Sequence, residues 1–225
     1  LGGVSSHMER AGGVKLLTEI QKKTLETFFS APYLREHYYL TAGTALSAFY
    51  LAHRISDDLD LFTHSADIEA SARLFEDSMR DAALSMEKQM SSATFRRYKV
   101  EGALQVDLVR DVDYRLGAPE LKGDFMVDCP LNIGLNKVLA IYGRFDPKDY
   151  VDLYFLKPLL NFDIMKMIEL AKNKDAGIEA FQWAKVILDA ENIRVLPRML
   201  KEIDLNDLKS FFTELRKEIL LALKR

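Results

Sequence analysis

Aspartates set among leucines constrain this chain more than any other feature. Residues 55–62, "ISDDLDLF", otherwise read as a short apolar strand. Side chains alternate faces along a strand, so Asp58, Asp60 and Phe62 share one face and Leu59 and Leu61 take the other. Asp57 points away from Asp58 and stays outside the group. Residues 104–111, "LQVDLVRD", repeat the design. Gln105, Asp107 and Val109 share a face, with Leu104, Val106 and Leu108 opposite. If the two strands are neighbours, three carboxylates converge. Crowded carboxylates repel one another, and burying them unpaired is costly. A divalent cation removes that cost. Mg²⁺ (or Mn²⁺) suits hard oxygen ligands and leaves positions for substrate phosphates. A single aspartate at a strand end is ordinarily just exposed, but three on two apolar strands do not fit that description.

A second feature precedes the aspartates by one helix. "HYYLT" (37–41) predicts a short strand and "AGT" (42–44) a turn. From Ala45 the apolar spacing Leu46, Phe49, Tyr50, His53 predicts one helix face. Small residues at a strand-to-helix turn let the backbone approach an anion, which the free N–H groups of the first helical turn can hold. Gly43 and Thr44 are the candidates there, Thr44 adding a hydroxyl. Taken alone, such a turn needs no more than a packing glycine. Arg54 and Ser56 flank the aspartate strand, where they can orient Asp58 or Asp60, touch phosphate, or hold the loop by a salt bridge. His53 is expected to be a satisfied core histidine.

Composition narrows the class. At 225 residues, 48% hydrophobic and 29% charged, the chain reads as an ordinary globular protein. The one cysteine, Cys129, cannot form an internal disulfide and is expected to be inert, which fits a reducing cytoplasm. No apolar run is long enough to span a bilayer. The net charge of -3 argues against a dedicated nucleic-acid coat. The local basic runs, Arg96-Arg97 with Lys99 and the C-terminal lysines and arginines, read first as solvated faces. "LGGVSSHM" at the start lacks the charge and apolar middle of a signal peptide, and its "SSHM" reads as a cloning scar before a native Met8. Residues 1–13 are therefore set apart as a probable tag.

Apolar spacing predicts a helix from about Val14 to Phe29, and a second over 65–86 with Asp67 or Ser65 as N-cap. Two strands around "EGA" (101–103) read as a hairpin. Residues 114–130 are irregular, with one further short strand at 125–127. From Leu131 the pattern is helical nearly to the end, punctuated at 143–147, 158–163, 173–177, 192–197 and 204–207. The expected fold is thus α+β (α/β). A small mixed sheet flanked by helices fills residues 14–130, and a helical bundle fills 131–225. A site in the cleft between them is the usual arrangement for such a plan. Lys137, on the first helix of the second half, is placed to face that cleft. Lys148 follows Pro147 at the start of the next helix. Either can offset triphosphate charge. Lys148 can instead pair with Asp152, one turn along.

The order small-residue turn, helix, Asp-x-Asp strand, lone strand Asp resembles the polymerase-β-type nucleotidyltransferases. "TAGTALSAFYLAHRISDDLDLF" (41–62) and "NKVLAIYGRFDPKDYVDLYFL" (136–156) are similar to the two signature blocks of the AbiEii/AbiGii toxin family. The resemblance covers residues 38–156. It implies an enzyme that moves a nucleoside monophosphate from a nucleoside triphosphate to a hydroxyl acceptor. Asp58, Asp60 and Asp107 would be catalytic and metal-holding. Gly43, Thr44, Arg54, Ser56, Lys137 and Lys148 would hold nucleotide. It also implies an RNA or tRNA acceptor, a toxin–antitoxin or abortive-infection role and a cognate antitoxin. A small-molecule acceptor such as an antibiotic, or a catalytically silent nucleotide- or protein-binding module, are the alternatives. Ala42 stands where the family has a glycine. An alanine there is strained if the position requires positive φ, and serves if it need only be small.

Overall fold

The computed structural model describes residues 16–224, so the tag-like start at 1–13 and the first predicted helical residues lie outside the described residues. Helix α1 (Glu19–Ser30) begins where Thr18 and Gln21 form a reciprocal capping box. A short α2 (Pro32–His37) leads into β1 (Tyr39–Thr41). Next come α3 (Ala42–Leu46) and, without a break, a π-helical turn (Ser47–Leu51). Ala52 ends it in the left-handed region, φ 49°. The helix face expected to run on to His53 therefore stops at Leu51, and His53 is buried from the following loop.

The sheet follows the pattern of the aspartate strands. Strand β2 (Leu59–Thr63) leads to α4 (Ile68–Asp81), whose N-cap is Asp67, accepting from the Ala70 N–H. Strands β3 (Met86–Ser91), β4 (Phe95–Val100) and β5 (Leu104–Arg110) form a meander. β6 (Glu120–Lys122) and β7 (Phe125–Val127) form a hairpin. The strand order is β3-β4-β5-β2-β1-β7-β6 in one seven-stranded sheet. It is mixed, because β2 runs parallel to β5 and β1 parallel to β7.

One sheet face is apolar. Leu59, Leu61, Val106, Leu108, Tyr98 and Val100 pack with Leu25, Phe28, Phe75 and Met79 of α1 and α4 in one core. The opposite face, carrying the aspartates, looks toward the helices after Cys129. These are α5 (Pro130–Gly143), α6 (Pro147–Leu160), α7 (Ile164–Ala171), α8 (Ala180–Val186) with a 3₁₀ extension (Ile187–Asn192), and α9 (Leu205–Ala222). They enclose a second core around Trp183, Tyr150 and Phe212. Phe155 and Phe162 pack against both cores. Pro158, expected to break a helix, sits in the last turn of α6, which stops at Asn161 with φ 44°.

Between α8 and α9 the chain returns to the start of the aspartate loop. The Ile55 N–H donates to the Arg198 carbonyl at 2.8 Å, and the Leu200 N–H donates to the His53 carbonyl at 2.8 Å. Arg54 and Met199 form an isolated antiparallel bridge.

Candidate active site

The parallel pairing of β2 and β5 sets Asp60 directly opposite Asp107. Asp58 lies one residue before β2, on the same side. All three line a cleft of about 670 Å³ between the sheet and α5 and α6. Burial, then the charge of Asp107, pushes the Asp60 carboxyl up from an ordinary 3.8 to about 6. Burial, with Asp57 and Asp107 adding to it, also raises Asp58, although Lys148 pulls the other way. Asp107 is held differently. Arg97 of β4 donates to both of its oxygens, Nε to Oδ1 at 2.8 Å and Nη2 to Oδ2 at 2.6 Å.

The small-residue turn stands beside these acids. Ala42 has φ 56°, so this position does require the left-handed region, where a side chain costs about 1–2 kcal/mol. Gly43 is needed for space. A Cβ there would collide with the Arg54 guanidinium and stand 2.9 Å from Ser56 Oγ. The Thr44 hydroxyl donates to the Asp58 carbonyl, which ties the helix start to the aspartate loop. Ser56 lines the cleft, and its carbonyl accepts from Gln21 Nε2 at 2.9 Å.

Behind the turn is an ion network centred on Asp152. Arg54 donates to it through Nε at 2.6 Å and Nη2 at 2.8 Å. His53 Nε2 is 2.7 Å away, and Lys137 Nζ lies 2.6 Å from Oδ2. Lys137 also reaches Asp149 at 2.7 Å, and Arg144 donates to the other Asp149 oxygen at 2.9 Å. Burial would raise Asp152, but Lys137, Arg54 and His53 outweigh it and hold the carboxyl far below the usual carboxylate range. Burial would lower the Lys137 ammonium, yet Asp152 and Asp149 keep it above its ordinary value. For His53 burial wins and its pKa falls.

The structure brings Gly43, Arg54, Ser56, Asp58, Asp60, Asp107, Lys137 and Lys148 to one cleft, whereas Thr44 is buried behind it with its hydroxyl spent on the Asp58 carbonyl. Lys148 lines the cleft and has no ion-pair partner among the described residues; Asp152, its possible helical partner, is taken by the network. His53 is buried and bonded through Nε2 to Asp152, but its Nδ1 has no partner among the described residues, so it is only half satisfied; burial raises the Cys129 thiol. Sequence reasoning missed Arg97 as a partner of Asp107, and Asp149 and Asp152 as a network. The available signal was two acids three apart on an otherwise apolar helix. It did not name the partners, because Arg54 lies 98 residues from Asp152.

Among the described residues no three acidic, histidine or cysteine side chains already stand in a metal-holding cluster. Asp58 and Asp60 nonetheless suit one. They are hard carboxylates made reluctant to ionise by burial and by their neighbours, and no cationic side chain pairs with either of them among the described residues.

Asp-x-Asp leading into a strand, a third aspartate on its parallel neighbour and a small-residue helix start beside them are the arrangement that resembles the nucleotidyltransferases. Comparison with known proteins agrees. A crystal structure of an H. pylori protein assigned to the nucleotidyltransferases superposes with a TM-score of 0.62 at 16% identity, over 92% of this chain and 98% of that one. JHP933 from Helicobacter pylori superposes with a TM-score of 0.56 at 16% identity, over 92% and 96%. These two likenesses show the fold. An uncharacterized protein of Aquifex aeolicus (strain VF5) is 27% identical over 192 residues, 80% of this chain and 86% of that one. The family model of the nucleotidyl transferase AbiEii toxins of type IV toxin–antitoxin systems matches residues 23–223. The chain belongs to that family.

Proposed function

We propose that this nucleotidyltransferase is metal-dependent and transfers a nucleoside monophosphate from a nucleoside triphosphate to a hydroxyl of RNA, with tRNA as the favoured acceptor. The observation that carries this reading is the parallel register setting Asp60 opposite Asp107, with Asp58 alongside. Mg²⁺ (or Mn²⁺) held by Asp58, Asp60 and Asp107 would stabilise the attacking and leaving oxygens. Lys148 offsets triphosphate charge from the cleft wall. The backbone at Gly43 and Thr44 receives phosphate oxygens, and Ser56 stands beside them. Arg54 and Lys137 act from behind, keeping the loop and α5 in place while contributing positive potential.

Six basic and six acidic side chains line the cleft. Five of the basic side chains are already paired with acids, and Lys148, unpaired among the described residues, is the one placed to meet an anionic nucleotide. The unit 14–130 supplies the aspartates and the unit 131–225 the lysines. A cognate antitoxin is the expected protein partner, and the cytoplasm the expected compartment. No helix among the described residues is long and apolar enough to cross a membrane.

The test is label transfer. Each α-labelled nucleoside triphosphate in turn, Mg²⁺ and total cellular RNA are incubated with the wild type, Asp60→Ala and Asp107→Ala. Label on RNA with the wild type alone supports the reading and names the base. Pyrophosphate release with a small acceptor and no labelled RNA moves the acceptor class. Neither product in any combination sinks the catalytic reading.

A further inference from the structure

The sequence places Arg97 in a basic run that reads as a solvated face. The structure gives it another position. On β4 it is the register partner of Asp107, and its guanidinium closes a two-pronged pair on that carboxylate at 2.8 and 2.6 Å. Gln105 Nε2 approaches the same Oδ2 at 3.4 Å. The Asp107 side chain is 7% exposed, whereas Arg97 is 32% exposed. Arg97 lines the cleft and lies 5.4 Å over the Phe95 ring. The third carboxylate therefore already has a cation on both oxygens, while Asp58 and Asp60 have none among the described residues.

We infer that Arg97 makes cation loading conditional on the nucleotide: it holds Asp107 in the empty site and exchanges that carboxylate for triphosphate oxygens when substrate enters. The inference rests on the metal-dependent reading above. A forked guanidinium–carboxylate pair is among the stronger charge-assisted contacts and is geometrically specific. A divalent cation arriving alone must break it and leave the guanidinium unpartnered in a cleft that already contains Lys148. A triphosphate supplies the missing partner, since phosphate accepts the same fork. Cation and nucleotide then bind with positive coupling, and each tightens the other by the same factor. The exposed outer side of Arg97 and its long stem over Phe95 allow the movement without displacing β4.

The test is Mn²⁺ titration of the whole chain, read from the paramagnetic resonance of free Mn²⁺, with and without a non-hydrolysable nucleoside triphosphate analogue. Wild type, Arg97→Gln, Arg97→Lys and Asp60→Asn are compared. Wild-type Kd for Mn²⁺ should fall about tenfold or more when the analogue is present. Arg97→Gln should bind Mn²⁺ alone about tenfold more tightly than wild type and lose most of the coupling. Arg97→Lys, keeping charge without the fork, should fall between. Thermal melts give a second readout. Arg97→Gln leaves Asp107 unpaired, so its Tm should drop in EDTA and recover with Mn²⁺ by more than wild type gains. Arg97→Gln binding Mn²⁺ no more tightly than wild type, with Asp60→Asn abolishing binding, overturns the role of Arg97 and leaves the metal reading standing. Mn²⁺ binding unchanged by Asp60→Asn overturns both.

Discussion

Two groups of acids lie near one another, one by the sheet and one on α6, and are treated in opposite ways. Asp149 and Asp152 are buried and ringed by Arg54, His53, Lys137 and Arg144, and both are held below the ordinary carboxylate range, against burial, chiefly by Lys137. Asp58 and Asp60 lie at the start of β2 a short distance away with no cationic partner among the described residues, and both are pushed up. The first group is complete as it stands. The second is complete only with something added. Acid chemistry in a cleft is therefore a poor guide to function until the partners are counted. A satisfied network holds the frame, and an unsatisfied pair marks the place for a ligand.

The contrast can be broken most directly at Asp152. Asp152→Asn strands Arg54 and takes one of the two partners of Lys137, each nearly inaccessible, and removal of one member of a buried pair costs about 3–5 kcal/mol. Urea denaturation should show that loss. Asp60→Asn should leave the EDTA midpoint unchanged or raise it. Equal losses from the two substitutions would erase the distinction.

The pH dependence should also have opposite signs. A carboxyl raised from 3.8 to about 6 on folding binds its proton more tightly in the folded state. Without cation, Asp60 therefore costs stability as pH climbs from about 4 through about 6, and saturating Mg²⁺ or Asp60→Asn should flatten that slope. Asp152 is depressed on folding, so its contribution is present above the ordinary carboxylate range and lost as pH falls below it. Melts from pH 3 to pH 8, in EDTA and in Mg²⁺, separate the two.

Smaller effects sharpen the boundary between the groups. Gly43→Ala pushes a methyl against Arg54 and Ser56, and overpacking of this kind costs about 1–3 kcal/mol. Rescue by trimming Ser56 to glycine should be partial, because Arg54 remains. Ala42→Gly relieves the left-handed strain and should raise stability by up to about 1 kcal/mol, glycine's own chain entropy offsetting the rest. A loss there would mean that the Ala42 methyl packs favourably enough to offset its strain.

Much of this was readable from residue order. Alternation along β2 puts Asp58 with Asp60, and along β5 it sets Asp107 opposite the leucines, while the pairing of the two strands is what brings the three together. The Asp67 cap and the helical second half were equally plain. Strand β3 was not. "MEKQMS" is exposed at nearly every position, so no burial period marks it, and pairing with β4 alone makes it a strand. The π-helical turn was hidden because Leu46, Phe49 and Tyr50 suit an ordinary helix as well. The ionic network could not be read, because its members are joined only by the fold. Nor could the fork on Asp107, since Arg97 sits among other basic residues and only the β4–β5 register selects it.

The contacts made by residues 198–200 have a consequence for timing. The loop carrying His53, Arg54 and Ile55 is held from one side by Asp152 and from the other by the backbone of Arg198 and Leu200. During synthesis the aspartates emerge early, yet the partners of their supporting loop emerge about a hundred and about a hundred and fifty residues later. A ribosome-bound chain that has just exposed the nucleotidyltransferase motif thus lacks the means to hold it in working order. The loop that supports the aspartates can therefore be held from both sides only after residues 198–200 have emerged.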